Sequence, residues 1–256
     1  MGQVRGQDQA EGYGDVMTAD TPPATAPHDG VVPTPDGPMP ALVLRPAAGS
    51  GPAVVLVQEI FGVTGYIRRR AAALAALGYV VVVPEVYWRL PDHALPESGE
   101  DLLPRAMSLV QQLDWPSAVQ DVAAAVRHAR DLGGVDGRVG LLGFCFGGGL
   151  AFNVAAVEPV EALVSYYGSA LGDLLALAEQ VTAPSLHHFG TDDAYVPPST
   201  QDAIRRAVTP TGARFVSHPG AGHAFDNPLP AFHHPEASQV AWRQTVAFLA
   251  EHLPPV

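Results

Sequence analysis

Gly143-Phe144-Cys145-Phe146-Gly147-Gly148 separates two apolar runs, which cover residues 139–142 and 148–156. This pattern predicts a buried strand, a tight turn and a helix. The spacing G-x-C-x-G has the form of a nucleophile elbow, in which small residues on either side of the nucleophile permit a strained turn. The thiol would then project at the helix N-terminus, where free N–H groups face a developing oxyanion. The stretch therefore predicts a cysteine nucleophile for acyl transfer.

Cys145 alone also fits a plain structural role, since lone cysteines are commonly small buried hydrophobes. A nucleophile of this type needs a carboxylate and then a histidine, each after a later strand. A strand-like segment precedes the acidic turn Asp192-Asp193, and another precedes His223. The order of nucleophile, acid and histidine therefore favours a catalytic triad over a structural cysteine.

Five segments together resemble the dienelactone hydrolase family of α/β-hydrolases, over roughly residues 30–250. They are Q-E-I-F-G-V at 58–63, V-Y-W-R at 86–89, the elbow at 143–148, the stretch from H-F-G to V-P at 188–197, and G-A-G-H-A-F at 220–225. The resemblance implies a cysteine-dependent hydrolase that cleaves a lactone or ester through an acyl-thioester intermediate. A general esterase or thioesterase acting on a neutral substrate is an alternative, as is a non-catalytic binding protein on the same fold.

The resemblance also implies roles for individual residues. The register between the H-F-G and V-P flanks selects Asp193 over Asp192 as the triad acid. Glu59 would be the carboxylate that contacts the resting thiol. The backbone N–H groups of Ile60 and Phe146 would form the oxyanion hole.

Four positions are expected to bind substrate. Arg89 would hold a substrate carboxylate, with Tyr87 and Trp88 beside it, although Trp88 equally fits an ordinary core or interfacial role. The family's second substrate arginine falls at Asn227, and asparagine removes a fixed cation and its bidentate hydrogen bonds. The sequence therefore predicts the hydrolase machinery more directly than it predicts a carboxylated lactone substrate.

The composition indicates one globular domain. The 256 residues are 47% hydrophobic and 16% charged and include a single cysteine, which excludes an internal disulfide framework and fits a reducing cytoplasm. The net charge of −12 argues against nucleic-acid and anionic-membrane binding, which need basic patches. No apolar stretch approaches the roughly 20 residues of a membrane helix. We expect a cytoplasmic monomer or small homo-oligomer acting on a small molecule.

Residues 1–30 contain Gly, Gln, Asp, Thr and Pro without the apolar segment of a signal peptide. We therefore expect a disordered tail before a hydrolase domain that covers residues 31–256. The histidine pairs at 187–188 and 233–234 do not match zinc-site spacings, so no metal site is expected. The proposed chemistry requires no organic cofactor.

Strand-like and helix-like segments alternate along the domain. Continuous apolar runs at 53–57 and 79–83 are typical of strands buried on both faces of a parallel sheet. Helical patterns cover residues 66–77, 106–113, 115–132 and 239–252, with a shorter one at 172–180. The acidic, proline-rich stretch from Trp88 to Pro104 is interpreted as an excursion over the site. The alternation predicts an α/β fold with a mainly parallel, doubly wound sheet flanked by helices.

Overall fold

A computed structural model describes residues 28–95 and 99–255. In this part of the chain one eight-stranded sheet is flanked by six α-helices and three 3₁₀ turns. The strands are β1 His28–Thr34, β2 Gly37–Leu44, β3 Gly51–Val57, β4 Val80–Pro84, β5 Val135–Phe144, β6 Ala162–Tyr166, β7 Ser185–Gly190 and β8 Arg214–His218. The helices are α1 Gly65–Ala76, α2 Leu102–Gln112, α3 Trp115–Asp131, α4 Phe146–Ala155, α5 Pro198–Val208 and α6 Pro235–His252.

The strand order across the sheet is β1-β2-β4-β3-β5-β6-β7-β8. The pairs β1–β2 and β2–β4 are antiparallel, and every other neighbouring pair is parallel. The carboxyl ends of β3 to β8 therefore meet along one edge of the sheet. In an open parallel sheet that edge is where ligands bind.

The sheet is buried on both faces. Along β3, the side chains of Ala53, Val55 and Val57 join one core cluster, and those of Val54 and Leu56 join the other. This alternation follows from the two-residue period of a strand. Residues of α2 to α5 contribute to the first cluster, and residues of α1 and α6 to the second. The predicted α/β class with a doubly wound, mainly parallel sheet is confirmed.

Four elements differ from the sequence-based expectation: helices α2 and α6 begin four residues earlier than expected, at Leu102 and Pro235, and strand β1 and the helix expected at 172–180 differ as follows. Strand β1 begins at His28, so the last three residues of the expected tail lie in an edge strand, and residues 1–27 of that tail lie outside the described residues. Local sequence patterns did not indicate this strand, because Asp29 and Pro33 are not typical strand residues. Proline is nevertheless accepted in a strand at the edge of a sheet. The predicted helix at 172–180 consists of the 3₁₀ turns Leu171–Asp173 and Leu175–Gln180.

Helix α5 was not predicted from the sequence at all. Its only fully buried members are Gln201, Ile204 and Val208, which form a narrow stripe on an otherwise polar surface. Its proline-rich start resembles a loop, although proline is favoured in the first turn of a helix.

The corner between β5 and α4 brings backbone segments unusually close together. A Cβ atom added to Gly143 would lie 2.1 Å from the carbonyl oxygen of Gly147. A Cβ atom added to Gly147 would lie 2.2 Å from the carbonyl oxygen of Gln58, which follows β3. Between them Cys145 has φ 56° and ψ −124°, a conformation that side chains rarely adopt. There is therefore no room for a side chain at either Gly143 or Gly147.

We expect Gly147→Ala to lower the free energy of unfolding by about 3 kcal/mol or more, because its methyl group meets rigid backbone. Gly133→Ala is the matched control, since nothing lies within 4 Å of the Cβ position of Gly133. Urea denaturation of both variants measures the difference. Equal stabilities would contradict the close packing of this corner.

Candidate active site

Four candidate residues lie at the carboxyl edge of the sheet. Glu59 follows β3, Cys145 follows β5, Asp193 follows β7 and His223 follows β8. Residues that are 30 to 164 positions apart in sequence are thus collected on four strand ends of one sheet. The sequence could predict that these four residues lie close together, because the carboxyl ends of parallel strands meet at one edge of the sheet.

Cys145, His223 and Asp193 form a continuous chain of contacts. The Nε2 atom of His223 lies 3.0 Å from the Sγ atom of Cys145, and its Nδ1 atom lies 2.8 Å from the Oδ2 atom of Asp193. Both Cys145 and Asp193 are buried. This is the geometry of a nucleophile, a general base and the carboxylate that orients the base.

Asp193 and its neighbour Asp192 have different surroundings. The Oδ1 atom of Asp193 accepts hydrogen bonds from the backbone N–H groups of Tyr195 and Val196, at 2.8 and 2.9 Å. These bonds fix the carboxylate while its other oxygen faces His223. Asp192 is exposed and accepts a hydrogen bond from the Thr191 hydroxyl. The structure therefore brings Asp193, and not Asp192, to the histidine.

The imidazole of His223 is stabilised in its charged form. Burial by itself would lower the pKa of His223, but the hydrogen bonds to Asp193 and Cys145 outweigh burial and raise this pKa to about 10. At neutral pH the side chain is therefore an imidazolium ion. A cationic imidazole beside a sulfur atom is the pairing that activates nucleophilic cysteines.

The strained turn at Cys145 is fixed by its neighbours. The N–H group of Cys145 donates to the carbonyl oxygen of Tyr166 at 3.0 Å, and its own carbonyl accepts from the N–H of Ser169 at 3.2 Å. Helix α4 begins at the next residue, Phe146, whose N–H is among the first-turn donors that have no intrahelical acceptor. The positive end of the helix thus lies directly beside the sulfur.

Ile60 and Phe146 both line the cavity that contains the sulfur of Cys145. Tyr87 supports the two of them from behind, since its hydroxyl donates to the carbonyl oxygen of Ile60 at 3.0 Å and its ring stacks on that of Phe146 at 5.9 Å. Tyr87 is fully buried and does not line the cavity. The position predicted to bind substrate therefore lies one layer behind the predicted oxyanion residues.

Glu59 lines the same cavity but is not hydrogen-bonded to the thiol. Its Oε2 atom accepts from the amide of Asn227 at 2.7 Å, and its Oε1 atom accepts from the hydroxyl of Tyr167 at 3.3 Å. This differs from the expected contact with the resting thiol, because both carboxylate oxygens are engaged by other donors and Cys145 faces His223. Complete burial raises the pKa of Glu59 to about 7, against the smaller opposing effect of the bond from Asn227.

Asn227 is correspondingly a partner of Glu59 and not a cavity residue. Its side-chain oxygen accepts from the N–H of Leu229 at 3.0 Å while its amide nitrogen holds Glu59. It is buried and does not line the cavity. Both ends of the amide are used within the protein, and a contact of position 227 with substrate stays a prediction.

A second buried carboxylate, Asp226, lies behind Glu59. It pairs with Arg70 through both of its oxygens and also accepts hydrogen bonds from Ser238 and Tyr66. The hydroxyl of Tyr66 lies 3.4 Å from that of Tyr167, which donates to Glu59. A continuous polar network therefore connects the cavity to the ion pair beneath helix α1.

Arg89 and Trp88 lie outside the cavity. The guanidinium group of Arg89 donates to both oxygens of Asp121 at 2.9 and 2.7 Å and contacts Asp36 at 2.8 Å. The indole N–H of Trp88 donates to the same Asp121 at 2.8 Å, and Arg89 packs over its ring. Two carboxylates thus neutralise the guanidinium, and a contact of Arg89 or Trp88 with substrate stays a prediction.

The cavity has a volume of about 210 Å³. Its polar and titratable lining residues are Glu59, Cys145, Ser169, Tyr195 and His223. The remaining lining residues are apolar and include Leu103, Met107 and Val110 of helix α2. The stretch from Trp88 to Pro104 was expected to pass over the site; residues 96–98 of it lie outside the described residues, and of the others Leu103 lines the cavity.

The sequence pattern of the dienelactone hydrolase family matches residues 39–253. The chain belongs to the dienelactone hydrolase family. The resemblance seen in the five segments is thereby confirmed, and the predicted class of enzyme, a carboxylic ester hydrolase, is confirmed with it. The same family assignment agrees with the carboxyl-edge position of the cavity.

Curated relatives of this family align over most of their length. A carboxymethylenebutenolidase from Pseudomonas putida is 36% identical over 82% of this chain and 90% of its own. Carboxymethylenebutenolidase 1 from Cupriavidus pinatubonensis is 32% identical over 80% of this chain and 88% of its own.

Solved structures agree with the fold. A crystal structure from Klebsiella pneumoniae, described as a "Putative Dienelactone Hydrolase", superposes with a TM-score of 0.79 and 30% identity over 88% of this chain and 98% of that one. A dienelactone hydrolase-like promiscuous phosphotriesterase from metagenomic libraries has a TM-score of 0.76 at 22% identity, over 91% of this chain and 100% of that one. The second likeness supports the fold alone.

The described residues contain neither a cluster of metal-ligating side chains nor a helix that could span a membrane. Within residues 28–95 and 99–255, no group of three or more His, Cys, Asp or Glu side chains is arranged to hold a metal ion. None of the helices in the described part of the chain combines the length and the apolarity that crossing a bilayer requires.

The sequence indicated neither Ser169, nor the contact of Tyr167 with Glu59, nor the strained backbone at Tyr167 and Ala224. Tyr167 holds Glu59 and has a φ of 38°, and Ala224, beside His223, has a φ of 55°. Ser169 lies 4.0 Å from the sulfur of Cys145 and lines the cavity. Strained backbone clusters at functional sites, but no local sequence pattern reveals it at residues other than glycine. The sequence predicted the strands and turns that precede these three positions, but not the backbone angles or the contacts at the positions themselves.

We expect Glu59→Gln to change how stability depends on pH. The pKa of Glu59 is about 7 in the folded state against an ordinary 4.5, so wild-type stability falls as pH rises between these values and then levels off. The variant lacks this loss, and its stability relative to wild type should increase by up to roughly 3 kcal/mol across that window. Urea denaturation at pH 5 and pH 8 measures this increase.

The matched control is Glu179→Gln, which makes the same exchange at an exposed position. A constant difference between Glu59→Gln and wild type at both pH values would contradict the raised pKa of Glu59.

We expect Arg89→Ala to destabilise the fold by about 1–3 kcal/mol, because it leaves the buried carboxylate of Asp121 without its main donors. The Asp36→Ala variant removes only the exposed partner of the same guanidinium and should cost no more than about 1 kcal/mol. Thermal denaturation of both variants tests the structural role of Arg89. Unchanged stability in Arg89→Ala would contradict it.

Proposed function

We propose that the chain hydrolyses a lactone or an ester through covalent catalysis by Cys145, with His223 and Asp193 completing the triad. The observation that supports this most directly is the unbroken line of contacts, 3.0 Å from sulfur to Nε2 and 2.8 Å from Nδ1 to the carboxylate, beside an apolar cavity. The names of the carboxymethylenebutenolidase relatives favour a lactone or ester bond as the target.

The first half-reaction forms an acyl-enzyme. The thiolate of Cys145 attacks the carbonyl carbon, and the oxyanion collects the backbone N–H groups of Ile60 and Phe146. The tetrahedral intermediate then collapses, and the imidazolium of His223 gives its proton to the leaving alkoxide oxygen. In a lactone that oxygen stays attached to the acyl group, so ring opening leaves the whole molecule on the sulfur as a thioester.

The second half-reaction uses water. His223, now neutral, takes a proton from a water molecule as the resulting hydroxide attacks the thioester carbonyl. Collapse expels the thiolate of Cys145 and releases a carboxylic acid. Asp193 stabilises the imidazolium in both halves without itself accepting a proton. These steps draw on side chains, backbone N–H groups and water alone.

Glu59 receives no proton-transfer step in this mechanism. Its two oxygens are held by Asn227 and Tyr167, and its charge changes near pH 7. Its effect on the site is therefore electrostatic, because it adds negative charge to the cavity wall as the pH rises. We also propose that the substrate is a small molecule and that the chain acts in the cytoplasm as a monomer or a small homo-oligomer.

We expect Cys145→Ala to lower kcat/KM for ester hydrolysis by at least about a thousandfold, because the covalent route needs the sulfur. Helical content by circular dichroism should equal that of wild type, since a smaller side chain fits the elbow. Cys145→Ser should retain only weak activity, as a hydroxyl is poorly activated in a site built for a thiol. Retention of more than about a tenth of wild-type kcat/KM by Cys145→Ala would contradict a covalent nucleophile.

Labelling of wild type separates an enzyme from a binding protein on the same fold. One equivalent of iodoacetamide per chain should label Cys145, and the loss of activity should follow the extent of labelling. A fully labelled chain that keeps its activity would exclude Cys145 from the reaction.

Asp193→Asn and Asp192→Asn form a matched pair. The first should lower kcat by roughly 10²–10⁴-fold, because the amide favours the wrong imidazole tautomer and cannot stabilise the imidazolium. The second changes an exposed side chain and should stay within about twofold of wild type. Steady-state kinetics with one ester decides between them, and the reverse order would refute Asp193 as the orienting acid.

A further inference from the structure

We propose that the site accepts uncharged esters or lactones whose apolar acyl group lies against a hydrophobic stripe of helix α2, and that it discriminates against carboxylated substrates. This inference rests on the proposed function, because it names the substrate class of the same cavity. Two independent properties of the cavity support it, namely the position of its charges and the position of its apolar surface.

Among the residues that the structure describes, no fixed cation lines the cavity. The described lining contains no arginine, and the sequence contains no lysine at all. His223 is the only basic residue in this described lining, and its Nδ1 is already paired with Asp193 while its Nε2 faces Cys145. A carboxylate that enters the cavity would therefore lose water without gaining a counter-ion, which is unfavourable.

Two arginines, Arg89 and Arg70, are occupied by carboxylates of the protein. Arg89 is bound to Asp121 and Asp36, and Arg70 is bound to Asp226. Both Asp121 and Asp226 are buried, so moving either guanidinium toward a ligand would leave an unpaired buried charge. These arginines stabilise the fold and are not available to a substrate carboxylate.

The carboxylate of Glu59 in the cavity lining also disfavours a carboxylated substrate. Glu59 contributes negative charge to the cavity wall once it is ionised, and its neighbours Asn227 and Tyr167 are uncharged donors. A substrate carboxylate in the same small cavity would meet a like charge, which is destabilising. An uncharged acyl group meets no such penalty.

The apolar surface comes mainly from helix α2. Leu103, Met107 and Val110 line the cavity at spacings of four and three residues, which places them on one side of a helix. Ala106 and Leu109 are the buried residues of α2 and belong to the protein core. The helix therefore has one apolar side for the core and another for the cavity.

The mouth of the cavity is also apolar. Among the described residues six large hydrophobic side chains are exposed, and three of them, Leu103, Met107 and Tyr195, line this cavity. Phe61 and Phe232 form the facing wall, with their ring centres 6.3 Å apart. Exposed apolar side chains that gather around a concave site mark a surface that binds an apolar ligand.

The test compares two esters with four-carbon acyl chains, 4-nitrophenyl butyrate and mono-4-nitrophenyl succinate. The acyl chain of the butyrate ends in a methyl group, and that of the succinate ends in a carboxylate. At pH 8, with the spontaneous hydrolysis of each ester measured without enzyme and subtracted, kcat/KM for the butyrate should exceed that for the succinate by at least about tenfold. An equal or higher value for the succinate would overturn the inference.

A positive charge placed on the α2 stripe should weaken this preference. Met107→Arg is expected to raise the ratio of succinate to butyrate kcat/KM by at least about fivefold, since it gives the acyl chain a counter-ion. Leu103→Arg provides a second variant of the same kind, in case Met107→Arg does not fold. An unchanged ratio in a folded variant would show that the stripe does not contact the acyl group, and would refute the proposal.

Leu77→Arg is the matched control, because Leu77 and Met107 are each 38% exposed and Leu77 lies at the end of α1, away from the cavity. It should leave the ratio unchanged. Arg89→Ala should likewise leave the ratio unchanged in protein that remains folded. A selective loss of succinate turnover in Arg89→Ala would place Arg89 at the substrate and overturn the inference.

Cys145→Ala distinguishes failure of this inference from failure of the proposed function. Hydrolysis that needs Cys145 but prefers the succinate would refute only the substrate class. Hydrolysis of both esters that survives in Cys145→Ala, or no hydrolysis of either ester by wild type, would refute the proposed function together with this inference.

Discussion

The close approach of three backbone segments at the β5–α4 corner determines the geometry of the whole site. Gly143 and Gly147 leave room for the turn, and the backbone of Gly147 packs against the carbonyl of Gln58 at the end of β3. This contact fixes helix α4 relative to the loop that contains Glu59 and Ile60. The positive φ of Cys145 is held by hydrogen bonds to Tyr166 and Ser169, so the surrounding structure sustains a conformation that would be unfavourable alone.

Charge is distributed unevenly around that corner. Asp226 is buried together with Arg70, whereas Glu59 is buried with only neutral donors. Desolvation favours the neutral form of an acid unless a cation offsets it, which is why the pKa of Glu59 rises to about 7. His223 shows the opposite balance, because Asp193 and Cys145 outweigh its burial. The cavity thus contains one acid that is easily protonated and one base that is easily charged.

Sequence patterns predicted what depends on local order. The valine runs of β3 and β4, the elbow around Cys145 and the succession of nucleophile, acid and histidine all follow from residue type and spacing. Contacts between residues that are distant in the sequence could not be predicted in this way. The amide of Asn227 meets Glu59 across 168 positions, and Arg89 meets Asp121 across 32. A sequence shows that an arginine is present, but only the fold shows which carboxylate neutralises it.

Asn227 illustrates how one such pairing affects the chemistry of the cavity. An arginine at this position would place a permanent cation within reach of Glu59, and a neighbouring cation lowers the pKa of a carboxyl group. The amide donates a hydrogen bond without adding charge, so Glu59 remains an acid whose pKa is about 7. An uncharged donor at position 227 therefore raises the pH at which negative charge appears on the cavity wall, although Asn227 itself does not line the cavity.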